Sequence, residues 1–152
     1  VIDIKISTKG IYGIIAIMDV YIYSENKPVN IKSIAERQDI SNKYLEQIFR
    51  ELKKAKLVKS KRGAYGGYIL AKPAKKINVK EVLDILEGSL SPVECVEFDS
   101  ESKCNLYEKC VTKILWKKIL DDLNTFTKSV SLFNLKKCIE SYENQNHFNF
   151  NI

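Results

Sequence analysis

Between Thr8 and about Ser24 the apolar residues Ile11, Ile14, Ile15, Met18 and Ile22 fall three and four apart, which predicts a helix that Ser7 or Thr8 can cap. Pro28 interrupts the chain, and Ile31, Ile34 and Ala35 mark a shorter helix that stops at Asp39-Ile40-Ser41. A third helix, capped by Ser41 or Asn42, is predicted through Tyr44, Leu45, Ile48, Phe49 and Leu52 to about Lys56. Leu57-Val58-Lys59-Ser60 and Tyr68-Ile69-Leu70-Ala71 read as strands around a basic turn from Lys61 to Gly67. Two short helices across a tight turn outline a helix-turn-helix, and the basic hairpin that follows makes it a winged helix.

After Pro73 the pattern changes. Val79 to Glu87 predicts a short amphipathic helix ended by Gly88, and Ser91-Pro92 opens an irregular, mildly acidic stretch too polar for a core. Beyond Cys110 the apolar positions Val111, Leu115, Ile119, Leu123, Phe126 and Val130 repeat at helical spacing, with Trp116 and Leu120 widening the stripe. So short a chain offers little to cover that stripe. Val111, Leu115, Ile119, Leu123 and Phe126 are therefore expected to pack against a second copy in a two-fold dimer, the alternative being packing on their own winged helix. A last helix is predicted from Ser131 to about Ser141, ahead of an Asn-rich tail. The expected fold is mainly α with a small β wing. Residues 1–76 form a winged helix-turn-helix, and residues 77–152 carry a cysteine loop, a long dimerisation helix and a C-terminal helix.

The 152 residues, 45% of them apolar, suit one domain or one domain with an appended helix, and exclude disorder, collagen or a large multi-domain enzyme. Twenty-five Lys and Arg against 19 Asp and Glu give a net charge of +6, unevenly spread. Residues 1–76 hold 16 basic and 7 acidic groups, net +9, while residues 77–152 hold 9 and 12, net −3. The first half is built to meet an anion. No apolar run approaches the roughly 18 residues that span a bilayer, and the start lacks a signal-peptide profile, so a cytoplasmic protein is expected. An enzyme is not expected: the single histidine is His147, and no Ser-His-Asp, H-E-x-x-H, Walker or Rossmann pattern occurs.

Two constellations can carry chemistry. For double-stranded DNA, the leading turns of the third helix offer Ser41, Asn42, Lys43, Tyr44, Glu46 and Gln47 to base edges. Glu46 is informative, because an acid facing a polyanion costs binding energy unless it accepts from a cytosine amino group; pairing with Arg50 at i, i+4 is the alternative. In the wing, Lys59, Lys61, Arg62, Gly66 and Tyr68 stand among glycines that permit a tight turn. Arg62 suits a minor groove and the lysines suit phosphates, while a merely solvated hairpin is the bland alternative. Lys5, Ser7, Thr8 and Lys9 stand at a helix start whose backbone donors also suit phosphate.

The second constellation is Cys95-x8-Cys104-x5-Cys110, three thiols within 16 residues of a loop that ends at a helix start. Such thiols can gather around iron-sulfur or zinc, and the absence of a paired C-x2-4-C motif tilts toward a cluster. Cys138, beside Leu135 and Ile139, reads as a buried free thiol.

Several segments resemble the family of IscR, NsrR and CymR. They are Ile6-Ser7-Thr8-Lys9-Gly10-Ile11-Tyr12-Gly13, Ile34-Ala35-Glu36-Arg37-Gln38, Ile40-Ser41-x-x-Tyr44-Leu45-Glu46-Gln47, and the wing from Leu57 through Arg62-Gly63-Ala64-Tyr65-Gly66-Gly67-Tyr68. The likeness continues through Glu87-Gly88, Ser91-Pro92-Val93-Glu94, Lys109-Cys110-Val111-Thr112 and Trp116. The resemblance implies a homodimeric bacterial transcription regulator with crossed long helices. It also implies DNA readout by the residues matching Glu46 and Arg62. IscR-like members hold a 2Fe-2S cluster on three cysteines of this loop, NsrR-like members hold a 4Fe-4S cluster, and CymR-like members carry none and repress cysteine metabolism genes with a partner enzyme.

The chain departs from the IscR-like pattern twice. Its eight-residue spacer between Cys95 and Cys104 is longer, and Lys113 stands where the histidine ligand would. A protonated lysine cannot ligate iron, so Glu97, Asp99, Glu108 or a residue near the start of the partner chain would complete the set. The expectation is a homodimeric repressor sensing iron-sulfur status, with 2Fe-2S favoured over 4Fe-4S. A cluster-free CymR-like regulator with a protein partner, or a thiol redox switch at Cys95, Cys104 and Cys110, is the alternative.

Overall fold

The computed structural model describes residues 6–25, 27–97 and 105–145. Lys5, Cys104, Asp99 and His147, together with the side chain of Glu97, lie outside that description. Helix α1 spans Thr8–Tyr23 and is capped by the Ser7 hydroxyl, which accepts from the Gly10 amide. Helix α2, Ile31–Gln38, is capped by the Asn30 side chain and ends where Asp39 takes a left-handed conformation at φ 52°. Short polar Asp tolerates that region better than a branched residue. Ser41 then caps α3, Asn42–Lys54.

Strands β1 (Val58–Lys61) and β2 (Gly67–Leu70) pair antiparallel, with Val58 opposite Leu70 and Lys61 opposite Gly67. On the far side of β2, Val29 and Tyr68 exchange backbone hydrogen bonds of 2.9 and 2.7 Å. The Gly66-Gly67 pair is placed otherwise than the sequence suggested. The tip is turned by Gly63 at φ 125°, while a Cβ on Gly67 would lie 2.4 Å from the Val29 carbonyl oxygen. Gly67 serves a close backbone approach rather than the turn.

Helix α4, Val79–Leu86, opens with a reciprocal capping box between Asn78 and Glu81. It lies close on α1, since a Cβ on Gly13 would fall 1.9 Å from Leu86 Cδ1. Buried Ala16, Ile17, Ile34, Leu45, Ile48, Phe49 and Leu52 share one core with Ile77, Val82, Leu86 and Leu132. The division after residue 76 is thus a change of charge, not of packing, because the last four residues complete the winged-helix core.

The acidic stretch expected to be irregular contains a short helix, α5, Glu94–Glu97, and Pro92 just before it is buried. Helix α6, Lys113–Ser129, is shorter than its apolar stripe. Val111 precedes it, and Val130 is extended and buried, its carbonyl accepting from the Val79 amide at 2.8 Å. Helix α7, Leu132–Gln145, runs past the expected stop near Ser141. Among the described residues no helix is long and apolar enough to cross a membrane.

Candidate nucleic-acid interface

Helix α3 has two faces. Leu45, Ile48, Phe49 and Leu52 are buried, so the helical period turns Lys43, Glu46, Gln47 and Arg50 outward, and all four are exposed. Glu46 makes no ion pair with any described residue, Arg50 included, although the i, i+4 spacing allows one. Ser41 is engaged as the helix cap, its hydroxyl accepting from the Tyr44 amide at 3.2 Å. Tyr44 is half-buried, edge-on to Tyr12 at 5.8 Å between ring centroids.

In the wing, Lys59, Lys61 and Arg62 are exposed, and Tyr65 at the tip is 86% exposed. Tyr68 faces the other way. Its ring stacks on Phe49 with centroids 4.5 Å apart, which attaches it to the core rather than to a groove of DNA. Arg50 and Tyr65 are the members of this surface that sequence reasoning left out. Arg50 was visible as i+4 from Glu46, whereas an aromatic residue in a hairpin gives no signal that distinguishes tip from core.

The start of α1 corrects an expectation. Glu87, which follows α4, places Oε1 so that it accepts from the Ser7 amide at 3.1 Å, the Ser7 hydroxyl at 2.5 Å and the Gly10 amide at 2.8 Å. An internal carboxylate therefore fills the anion position at this positive helix end, and these donors are not open to phosphate. Thr8 remains exposed. Lys9 reaches both Glu51 carboxylate oxygens at 2.6 and 2.8 Å, which ties α1 to the back of α3.

The cysteine segment is described in two pieces. Cys95 is half-buried on α5, which packs against α6. Cys110 lies just before α6 with Sγ 3.3 Å from Thr112 Oγ1. The Thr112 hydroxyl, then its amide, hold the Cys110 thiol below the usual thiol range against a smaller desolvation cost, and Lys113 adds to the same effect. A thiol biased toward thiolate suits a thiophilic metal. The third thiol, Cys104, lies outside the described residues, and among those residues no three His, Cys, Asp or Glu side chains gather as a metal-holding group. Cys138 is half-buried on α7 rather than fully enclosed.

Comparison with known proteins bears on both constellations. Residues 6–137 match the family model Rrf2, described as an iron-dependent transcriptional regulator. The transcriptional regulator IscR of Cronobacter sakazakii is 39% identical over 128 residues, covering 84% of this chain and 77% of that protein. The solved structure of T. potens IscR superposes with a TM-score of 0.73 at 37% identity, covering 96% of this chain and 94% of that one. CymR, the global cysteine regulator of B. subtilis, gives a TM-score of 0.71 at 36% identity, covering 86% and 95%. These relatives are regulators of transcription and not enzymes. With a winged helix, an exposed basic reading face and a match along nearly its whole length, the chain belongs to the Rrf2 family of DNA-binding transcription regulators.

Proposed function

We propose that the chain is a homodimeric, cytoplasmic repressor that reads an operator with α3 and the wing and reports iron-sulfur status through Cys95, Cys104 and Cys110. The observation that carries the DNA reading is Glu46, exposed and unpaired among Lys43, Gln47 and Arg50. Lys43, Arg50, Lys59 and Lys61 attract phosphates, Arg62 enters a minor groove, and Glu46 accepts from a cytosine amino group. Ser41 acts through its cap on α3, and Gln47 lies one position on from Glu46 along the same face. Thr8 and Lys5 add phosphate contacts, and Gly66 lets the hairpin turn close. Glu46→Ala should weaken binding about 10- to 100-fold on duplexes with cytosine at one position and leave others nearly unchanged. Equal weakening on all sequences would refute direct readout.

The dimer reading rests on apolar surface that the monomer leaves bare. Val111 is 90% exposed, Ile114 80%, Leu115 53% and Phe126 52%, whereas Ile119 and Leu123 are half-buried where α6 meets α4. A mainly apolar groove of about 340 Å³ lies between α1 and α7, lined by Ile14, Ile15, Met18, Ile22, Leu135 and Ile139 together with Asp19, Tyr23 and Gln38. A second copy's α6 offers the complementary stripe.

For the sensor, Cys110 supplies a thiol already biased toward thiolate, Cys95 is held against α6 by α5, and Cys104 completes the set. When bound, an iron-sulfur cluster supplies an oxidation-sensitive centre, with 2Fe-2S favoured over 4Fe-4S. Such a cluster would be held by Cys95, Cys104 and Cys110, and α6, which follows Cys110 and packs against α4 and α5, would link two states of that segment to a difference in operator affinity. The test is the spectrum, with iron and sulfide per chain, of protein purified without oxygen. Absorbance at about 320–460 nm, absent in Cys104→Ala, supports the sensor. A colourless dimer that binds DNA refutes it and favours the second reading, a CymR-like regulator with a protein partner or a thiol switch, which the likeness to CymR recommends.

A further inference from the structure

Asp19 is the one acidic or basic residue buried among the described residues, its side chain wholly enclosed on α1. Its carboxylate takes three hydrogen bonds, all from the last two residues of α2. Arg37 Nη2 donates to Oδ1 at 2.6 Å, Arg37 Nε to Oδ2 at 3.0 Å and Gln38 Nε2 to Oδ2 at 2.9 Å. The Arg37 guanidinium also lies over the Tyr23 ring, 4.2 Å from its centroid. The pair is therefore a two-pronged grip of α1 on the end of α2, reinforced by an aromatic face from α1's last turn.

The place of this grip gives it meaning. Directly after Gln38 the chain turns through Asp39 in a left-handed conformation, drops buried Ile40 into the core with its amide bonded to the Ala35 carbonyl, and starts α3 at the Ser41 cap. The angle at which α3 leaves that turn sets where Glu46 and Gln47 stand relative to the wing. An ion pair between a wholly buried carboxylate and a guanidinium side chain that is 32% exposed is a weak means of stabilisation, but its hydrogen-bond geometry is more selective than an apolar contact. Nothing else in this core requires a charge.

We propose that Asp19 is a positioning residue for base readout, holding Arg37 and Gln38 so that the α2–α3 turn presents the Glu46 face in register with the wing. Phosphate attraction, which depends on exposed lysines and arginines, does not pass through Asp19. The proposal rests on α3 being the reading helix.

Asp19→Asn, and the double variant Asp19→Asn with Arg37→Gln, which leaves no buried charge, test it. Affinity is measured at fixed salt on a duplex selected by the wild-type protein from a random-sequence pool and on a random duplex, with a thermal melt of each variant. The expected result is about a tenfold loss on the selected duplex, comparable to one misread base pair, with random-duplex binding kept within about twofold. In addition, the double variant should lose no more than the single one, because both remove the same grip. Losses that fall equally on both duplexes and follow the melting temperature overturn the proposal, and so does an unchanged selected-duplex affinity. A wild type that shows no preference between the two duplexes overturns the reading of α3, and this inference with it.

Discussion

The winged-helix core and the α6 region use apolar residues in opposite ways. Around Phe49, Ala16, Ile17 and Val20 of α1, Ile34 of α2, Leu45, Ile48 and Leu52 of α3 and Val82 and Leu86 of α4 meet one another and are buried, while Ile14, Ile15 and Ile22 on the other side of α1 are half-buried, and the exposed face of α3 is free to be polar and charged. Along α6 the stripe is only half answered: Ile119 and Leu123 are half-buried, while Ile114, Leu115 and Phe126 are exposed. The core around Phe49 closes within one chain, whereas α6 leaves apolar surface bare. Under the proposed dimer, this difference separates where stability resides from where assembly resides.

Substitution in the closed region should have the largest effect. Phe49→Ala removes a fully buried ring that also supports Tyr68, and an expected loss of about 3–5 kcal/mol is measurable by denaturant unfolding. In the open region Leu115→Glu should instead weaken self-association by about 2–4 kcal/mol, seen by sedimentation across protein concentrations, with the unfolding of the monomer little changed. A large stability loss from Leu115→Glu, with no change in association, would erase the contrast. Glu87→Ala probes a polar contact inside the closed region, between the end of α4 and the start of α1, since it frees the donors of Ser7 and Gly10. A cost of about 1–2 kcal/mol with an unchanged denaturant slope is expected.

The smallest effect concerns Cys110. Because the Thr112 hydroxyl lowers the thiol's pKa, the reactive thiolate is present at lower pH than for an ordinary cysteine. Thr112→Val removes the hydroxyl that does most to stabilise the thiolate, so the alkylation-rate profile of Cys110 with iodoacetamide should move to higher pH and the rate near neutrality should fall. A profile that stays in place would show that the hydroxyl does not act on the thiol. The variant's fold is readable in the same sample from its helical signal.

The helix-turn-helix was legible because its signals are local. Asn or Ser caps, an Asp at a left-handed stop and apolar residues three and four apart all act within one or two turns of chain. The reading face of α3 followed from the same period, as the complement of Leu45, Ile48 and Leu52. Elsewhere a local pattern misled. Tyr68 and Gly67 looked like wing residues, but the backbone of Val29, distant in sequence, draws β2 inward and commits both to packing. Likewise, the apolar stripe continued through Val130, yet the helix stops because the Val130 carbonyl is claimed by Val79.

Periodicity, charge and the spacing of thiols belong to the order of residues alone, and they were sufficient to indicate a winged helix with a basic half and a cysteine segment. Which groups meet is another matter, because each such meeting is between residues tens of positions apart and depends on how whole helices pack. Glu87 at the start of α1 and Asp19 under the end of α2 have no signature in their own neighbourhoods, and the apolar stripe of α6 did not tell that Ile119 and Leu123 are half-buried while Leu115 and Phe126 stay exposed. A carboxylate acquires its partner, and an apolar face acquires or lacks its cover, only when the core has closed and the few close approaches at Gly10, Gly13 and Gly67 have set the distances between elements.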